Sequence, residues 1–551
     1  MDKYLSSKPE DNCCWFNGRW ISRKDFAVLA DRCTEMLRDS GFSEGQRLAV
    51  LMPNSPMTLA VILACWRLGG VFCPLNEKTG EISLLKTLDL LKPFAVILSE
   101  GVKGDLESAL TKAEWPCVRL GNEKFSGAEK FTGKTQTADN YDKTLAVIFS
   151  TSGTTGDPKA VPLTHANILD NINACLEHVT DLKPEDSLLN VLPNFHAFGF
   201  TICCVLPFVL GATQVVVTGF MPPSNVIKAV EATHPTVLLL VPTMLGFVAS
   251  YLEKQGKKLS GIKLLIAGGD RYNPKIDDRV TAAFGVPVIE GYGITECSPV
   301  LAVNPNPSVR KLGTVGPALP RFELQLRSES GEIIAEYLTV SPSEVHPPVS
   351  PLCRGDEVRR DSCLPCVRGG GTCAGGVAEG SKPCERGGAS SAGGVVKEGV
   401  LWTRGPSVTA GYYHAPEINK ERFIDGWFNT GDYVQIDADG YIKILDRVTD
   451  IIIVGGFNVY PQEVEAILAE HPAVNMAVVV GMPNDISGEV PKAYVIKQQG
   501  AEVTEGELVK FCKERLSHYK VPRSVEFVDS LPISATGKIL RRVLRQKERE
   551  K

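Results

Sequence analysis

The sequence predicts an α/β protein. A large N-terminal domain of parallel-rich sheets covered by helices, with a small β-structure, is followed by a small mobile α+β C-terminal domain. Three observations predict this. At 551 residues the chain exceeds what one ordinary core supports. Between residues 45 and 335, continuous Val/Ile/Leu runs alternate with helical segments, as they do where parallel strands are covered on both faces. After Asp446–Arg447 the style changes to short strands and helices in close succession.

In chain order, RLAVLMP (47–53) predicts a buried strand and SPMTLAVILACWRLG a helix that stops at Gly69–Gly70. FAVILS, LAVIFS (145–150), TVLLLVP (236–242) and IKLLIAGG (262–269) predict further buried strands. Residues 198–220, FGFTICCVLPFVLGATQVVVTGF, carry no charge and are long enough to cross a bilayer. Pro207, Gly211 and the β-branched second half predict instead a buried helix, a turn at Gly211 and a strand. SESGEIIAE and EGVLWTRGPSVTAGYY predict two strands of one hairpin, pushed apart by residues 338–398. That stretch holds eleven Gly, six Pro and five Cys in 61 residues with no apolar period, which predicts a disordered insertion. The spacing of Cys363, Cys366, Cys373 and Cys384 lacks the paired regularity of a zinc ribbon or finger. From DIIIVGGFNVYP to SVEFVDSLP, strands and helices predict a compact domain. The divisions are therefore 1–446 and 447–551, with a hinge near 447–450.

Composition narrows the class. Hydrophobic residues at 43% and charged residues at 22% suit a folded soluble chain. A net charge of −5 offers no global field for nucleic acid. The opening MDKYLSSKPEDNCCWF has no apolar core of a signal peptide, and several of the sixteen cysteines sit in apolar runs. The expected setting is reducing and cytoplasmic.

The strongest chemical signal is STSGTTGDPK, Ser150 to Lys159, between strand LAVIFS and helical THANILDNINACLEH. Small residues let the backbone N–H groups of Ser150, Thr151, Ser152, Gly153, Thr154, Thr155 and Gly156 approach a polyphosphate, and Lys159 adds a positive charge. The P-loop string GxxxxGK[ST] is absent, as are GxSxG and HExxH. From Ser187 to Val230 there is no Asp or Glu, and Lys228 is the one fully charged residue. The end, KILRRVLRQKEREK, holds seven basic and two acidic residues. It reads as a solvated helix end or, more sharply, as a docking patch for an acidic carrier protein or an anionic membrane face.

The loop resembles the signature of the adenylate-forming superfamily of acyl-CoA synthetases, luciferases and adenylation domains. Six further strings stand in the family's order: PNFHAFGF (193–200), AGGD (267–270), EGYGITE (290–296), TGD (430–432), DRVTDIIIVGGFNVYPQEVE (446–465) and PISATGK (532–538). FHAFGF and EGYGITECSPV look most like long-chain fatty acyl-CoA or acyl-carrier-protein synthetases. The resemblance implies ATP-dependent activation of a fatty acid to acyl-AMP, then transfer to a phosphopantetheine thiol. That thiol belongs to CoA or, alternatively, to acyl carrier protein; a non-catalytic acyl or nucleotide binder is the remaining reading.

The resemblance also implies roles. It implies an acyl pocket within 187–230, where the lack of Asp and Glu suits an uncharged tail and Phe200, Cys203, Val205, Leu206 and Phe208 suit an alkyl chain. Lys538 is the catalytic lysine on the mobile domain. Glu296 holds Mg²⁺, Thr295 bonds a phosphate, Tyr292 stacks on adenine beside Gly293, and Gly268, Gly269 and Asp270 flank the nucleotide. Asp432 and Arg447 hold the ribose hydroxyls, His196 lines the acyl pocket near the carboxylate, and Gly455 and Gly456 let the thiol arm pass. The family's pivot falls at Thr449.

Overall fold

The computed structural model describes all residues except 103, 126–129, 133–143, 153–157, 329, 339–395, 456, 485–486, 534–538 and 551. The described residues form four sheets.

The first sheet is parallel through the strands Val288–Gly293, Leu264–Ala267, Val237–Leu240, Ser187–Asn190, Thr213–Val216 and Asn12–Phe16. Antiparallel strands Val300–Val303 and Arg19–Ser22 close its two edges. The second sheet is parallel through Cys117–Leu120, Ala95–Ser99, Arg47–Leu51, Val71–Pro74 and Leu145–Ser152. Helix Pro56–Arg67 is buried on nearly every side, which explains why its sequence shows no polar face. It begins at the Ser55 cap and gives way to Gly69 at φ +70°.

The 198–220 run folds as the sequence predicts: a π-helix Gly199–Val205, a short α-helix Leu206–Leu210, Gly211 at φ +90°, then the strand Thr213–Val216. Among the described residues no helix is long and apolar enough to cross a membrane.

Two expectations are corrected. Strand Leu145–Ser152 does not run through its loop into helix His165–His178. It turns back as an antiparallel hairpin with Pro158–Thr164, an edge strand. Pro158 and Pro162 hid that strand, and an edge is where proline is tolerated. The strands before and after the insertion are also not hairpin partners. Ile333–Leu338 and Lys397–Arg404 pair with opposite sides of Glu323–Arg327, both antiparallel to it. They therefore run parallel to each other, with Leu338 and Lys397 at opposite ends of the strand between them.

Downstream, Trp427–Ile436 and Ile442–Arg447 complete the third sheet. The fourth, from Ile452 onward, has its own core around Ile452, Val464, Leu468, Val479, Val495 and Leu508. This smaller body meets the larger one through Arg271, which donates to Gln462 at 2.7 Å, and through Asp446. The carboxylate of Asp446 is fully buried and accepts the Gln462 amide at 3.2 Å in the first turn of helix Pro461–Leu468. Burial pushes this carboxyl up to about 7, against the opposing pull of Arg541 and the Arg447 and Gln462 amides.

The tail helix Arg541–Arg549 is less free than its charge suggests. Arg541 pairs with Glu465 at 2.6 Å, Arg545 with Asp450 at 3.0 Å, and Lys547 with Glu526 at 2.5 Å. These basic side chains lock the helix to its own domain, which weakens the docking-patch reading. All the cysteines among the described residues are buried and free, and burial raises thiols such as Cys175 to about 12. The cysteines of the 338–398 stretch lie outside the described residues.

Candidate active site

A cavity of about 930 Å³ opens where the first three sheets and the small domain meet. It has two arms with different walls.

The polar arm gathers most of the residues marked by motif. Ser150 and Lys159, at the two feet of the hairpin loop, line it. Gly153, Thr154, Thr155 and Gly156 lie outside the described residues, as do the side chains of Thr151 and Ser152. Gly268 and Gly269 form the next edge; a Cβ on Gly268 would sit 3.0 Å from the Phe198 ring. Asp270 is not brought to the cavity: it is exposed, and its carboxylate accepts the amide of Arg271 at 2.8 Å.

Strand Val288–Gly293 delivers Tyr292, Gly293 and, just beyond, Thr295 and Glu296. Gly293 is required because a Cβ there would meet the Pro299 carbonyl oxygen at 2.4 Å. The Tyr292 hydroxyl donates to Asp432, and burial together with that carboxylate pushes the phenol far above its usual range. Asp432, 2% exposed, also receives Arg447 Nε at 3.0 Å from the facing strand. Tyr292, Asp432 and Arg447 thus form one hydrogen-bonded unit, with Asp432 as its anchor. Arg447 is held charged first by Asp432.

Sequence reading missed Tyr412. Its hydroxyl donates to Glu296 Oε1 at 2.5 Å, and its ring faces Lys159 Nζ at 5.6 Å. Burial, then Glu296, raises its phenol. Asn419 fixes Tyr412 from both sides, accepting its amide at 2.7 Å and donating to its carbonyl at 2.8 Å. Nothing in GYYH marks one tyrosine above its neighbour, so the packing alone identifies it.

His196 lines the cavity in the turn after Pro193, its ring 4.8 Å from that of Phe195. Behind this turn lies a buried amide network. Asn54 donates to Asn190 at 3.1 Å, Asn190 to Gln214 at 3.1 Å, and Asn194 to the Gly199 carbonyl at 3.1 Å. Its mutually satisfied groups hold the wall in one arrangement.

The apolar arm runs along Phe198, Ile202 and Leu206 to Cys175, Val179, Leu182, Leu239, Ile266 and Val303. Among the described residues no charged side chain lines this arm. Of the five residues expected to face an alkyl chain, Leu206 does. Phe200 instead packs on Phe72 and Phe149, Phe208 packs on Tyr4 and Phe26, and Cys203 and Val205 are core. The reason is pitch. In the wide π-turn, residues four apart (198, 202, 206) share the cavity face, and the intervening ones turn into the sheets.

From the small domain, Ile539 and Leu540 line the cavity, next to Lys538, which lies outside the described residues. Val448 and Thr449 line it at the pivot. Gly455 sits at φ +57° away from the cavity, and Gly456 lies outside the described residues.

A model of the AMP-binding enzyme matches residues 2–337, and one of the AMP-binding enzyme C-terminal domain matches 463–538. The chain belongs to the AMP-binding enzyme family. Within that family it is 30% identical to a long-chain-fatty-acid–CoA ligase of Bacillus subtilis, over 98% of this chain and 92% of the relative. It is 32% identical to a long-chain-fatty-acid–CoA ligase of Escherichia coli O157:H7, over 93% and 87%. A feruloyl-CoA synthase of an Amycolatopsis species is 31% identical over 95% and 93%.

Among solved structures, ATP-bound MatB from Rhodopseudomonas palustris superposes with a TM-score of 0.78 at 27% identity, over 99% of this chain and 98% of that one. The apo form of MatB from the same species scores 0.68 at 26% identity over the same shares.

Proposed function

We propose that the chain activates a medium- or long-chain fatty acid with ATP and transfers the acyl group to CoA, giving acyl-CoA, AMP and pyrophosphate. One observation carries this reading: an uncharged apolar arm opens directly onto the arm that holds Lys159, Glu296, Asp432 and Arg447. The relatives' names point to CoA as acceptor. Acyl carrier protein, a membrane surface and a purely binding role draw no support from them.

In the first step the carboxylate attacks the α-phosphorus of ATP, forming acyl-AMP and releasing pyrophosphate. Tyr292, Asp432 and Arg447 hold the nucleoside end: two carboxylate oxygens suit a vicinal diol, and the rings of the Tyr292 wall suit a base. Lys159 and Ser150 face the phosphates. Lys538, adjoining the lining residues Ile539 and Leu540, neutralises charge that builds on the reacting phosphate. His196, at the junction of the arms, orients the fatty carboxylate. In the second step the small domain rotates to bring Gly455 and Gly456 to the thiol's path, and the CoA thiol attacks the acyl carbonyl and displaces AMP.

The residues fit Mg²⁺. Glu296 offers a hard oxygen in the arm that Lys159 lines, with Oε1 engaged by Tyr412 and Oε2 without a hydrogen bond among the described residues. Mg²⁺ is commonly held by one or two carboxylates plus substrate phosphates, a role open to Glu296. When bound it would supply charge neutralisation at the phosphates.

The test is ATP–pyrophosphate exchange across carboxylates from acetate to oleate, with ferulate included. Exchange should peak at eight or more carbons. A maximum at acetate or at ferulate would overturn the fatty-acid reading.

A further inference from the structure

Arg422, at the end of helix Pro416–Arg422, lines the polar arm beside Glu421, Thr430 and Gly431. Its guanidinium is anchored but unused. Nη2 donates to the Thr430 carbonyl at 3.0 Å, and the group lies 5.5 Å from the Phe428 ring centre. Nε is buried without a hydrogen-bond partner. Among the described residues Nη1 makes no hydrogen bond, and no carboxylate pairs with Arg422.

Its place in the arm is specific. A Cβ on Gly431 would lie 2.9 Å from Nη1, so the guanidinium rests against the residue that precedes Asp432. On its other side is Tyr412, which Arg422 and Arg447 both influence electrostatically and which reaches Glu296 and Lys159. Arg422 therefore stands between the Asp432 end and the Lys159 end of the arm. Arg447, the other guanidinium there, is already neutralised by Asp432.

A half-buried planar cation with open donors and no counter-ion is a receptor for an anion, and its fork suits phosphate oxygens. We infer that Arg422 binds the phosphate chain of the nucleotide, a contact that none of the family strings marks. This rests on the nucleotide reading of the cavity.

The experiment measures binding of ATP and of adenosine to the full-length chain by calorimetry, for wild type, Arg422→Gln and Arg422→Lys. Arg422→Gln should weaken ATP about tenfold or more, the scale of a lost charge-assisted contact, with adenosine unchanged. Arg422→Lys should fall between. Unchanged adenosine affinity also reports that the variant is folded. Equal weakening of ATP and adenosine would overturn the inference, because Arg422 would then act through Thr430 and Asp432. Unchanged ATP affinity would overturn it too. Failure of wild type to bind either compound would instead sink the nucleotide reading itself.

Discussion

The polar arm of the cavity holds Lys159, Glu296, Arg422 and Arg447, whereas the apolar arm, reached past His196, holds no charge among the described residues. In the first, several groups depend on one another: Tyr292 on Asp432, Asp432 on Arg447, Glu296 on Tyr412. In the second, side chains act singly, through the area they bury. Single changes should therefore be severe in the polar arm and graded in the apolar one.

The sharpest break of that contrast is Asp432→Ala. It strands Arg447 and Tyr292 and removes the acceptor for the ribose. Hydrogen bonds to a charged group contribute about 1.5–3 kcal/mol each. The ATP concentration for half-maximal pyrophosphate exchange should thus rise about 100-fold. A change under threefold would show that the three residues do not act as a unit.

In the apolar arm, Leu206→Trp narrows the channel. At about 0.8 kcal/mol per buried methylene, excluding two methylenes costs a long chain about tenfold in kcat/KM relative to octanoate. Loss of octanoate and oleate activity in equal measure would place Leu206 outside the acyl path.

Smaller still is the effect of Asp446→Asn at the lobe contact. Burial raises the Asp446 carboxyl to about 7, well above its unfolded value of about 3.9. The protonated form is favoured when folded, so this contribution is complete below the unfolded value and is lost as pH rises through about 7. Asn is neutral throughout and keeps an acceptor for the Gln462 amide. Its melting temperature relative to wild type should climb from pH 5 to pH 8; a constant difference would contradict the shift.

The smallest effect is expected at 339–395. Because Ile333–Leu338 and Lys397–Arg404 run parallel, a direct splice would strain the third sheet. A Gly/Ser linker of about ten residues can retrace the strand length at about 3.3 Å per residue. With it, exchange should stay within twofold; loss of folding would give the segment a structural role.

The same contrast explains what could be read from the sequence. Polar chemistry is written in short strings, because a loop or strand end must present particular atoms at neighbouring positions. Thus EGYGITE, TGD and DRVTD named Tyr292, Glu296, Asp432 and Arg447, which the fold brings together. The apolar wall has no such string. Which of Phe200, Ile202 and Leu206 faces the cavity depends on a π-turn that composition does not encode. Tyr412 and Arg422 escaped notice because their partners lie over a hundred residues away in one case and in backbone carbonyls in the other. The prolines of Pro158–Thr164 concealed an edge strand, and the pairing around Glu323–Arg327 is set by a strand that the hairpin reading had placed outside the pair.

The account stands most directly on Lys538. Pre-steady-state release of pyrophosphate should be compared in wild type and Lys538→Ala with ATP and a long-chain fatty acid, alongside thioester formation from preformed acyl-adenylate and CoA. The account predicts that the pyrophosphate burst falls by about 10²–10³-fold, the scale of one lost charge-stabilising donor, while thioester formation persists. A burst of undiminished size would contradict it.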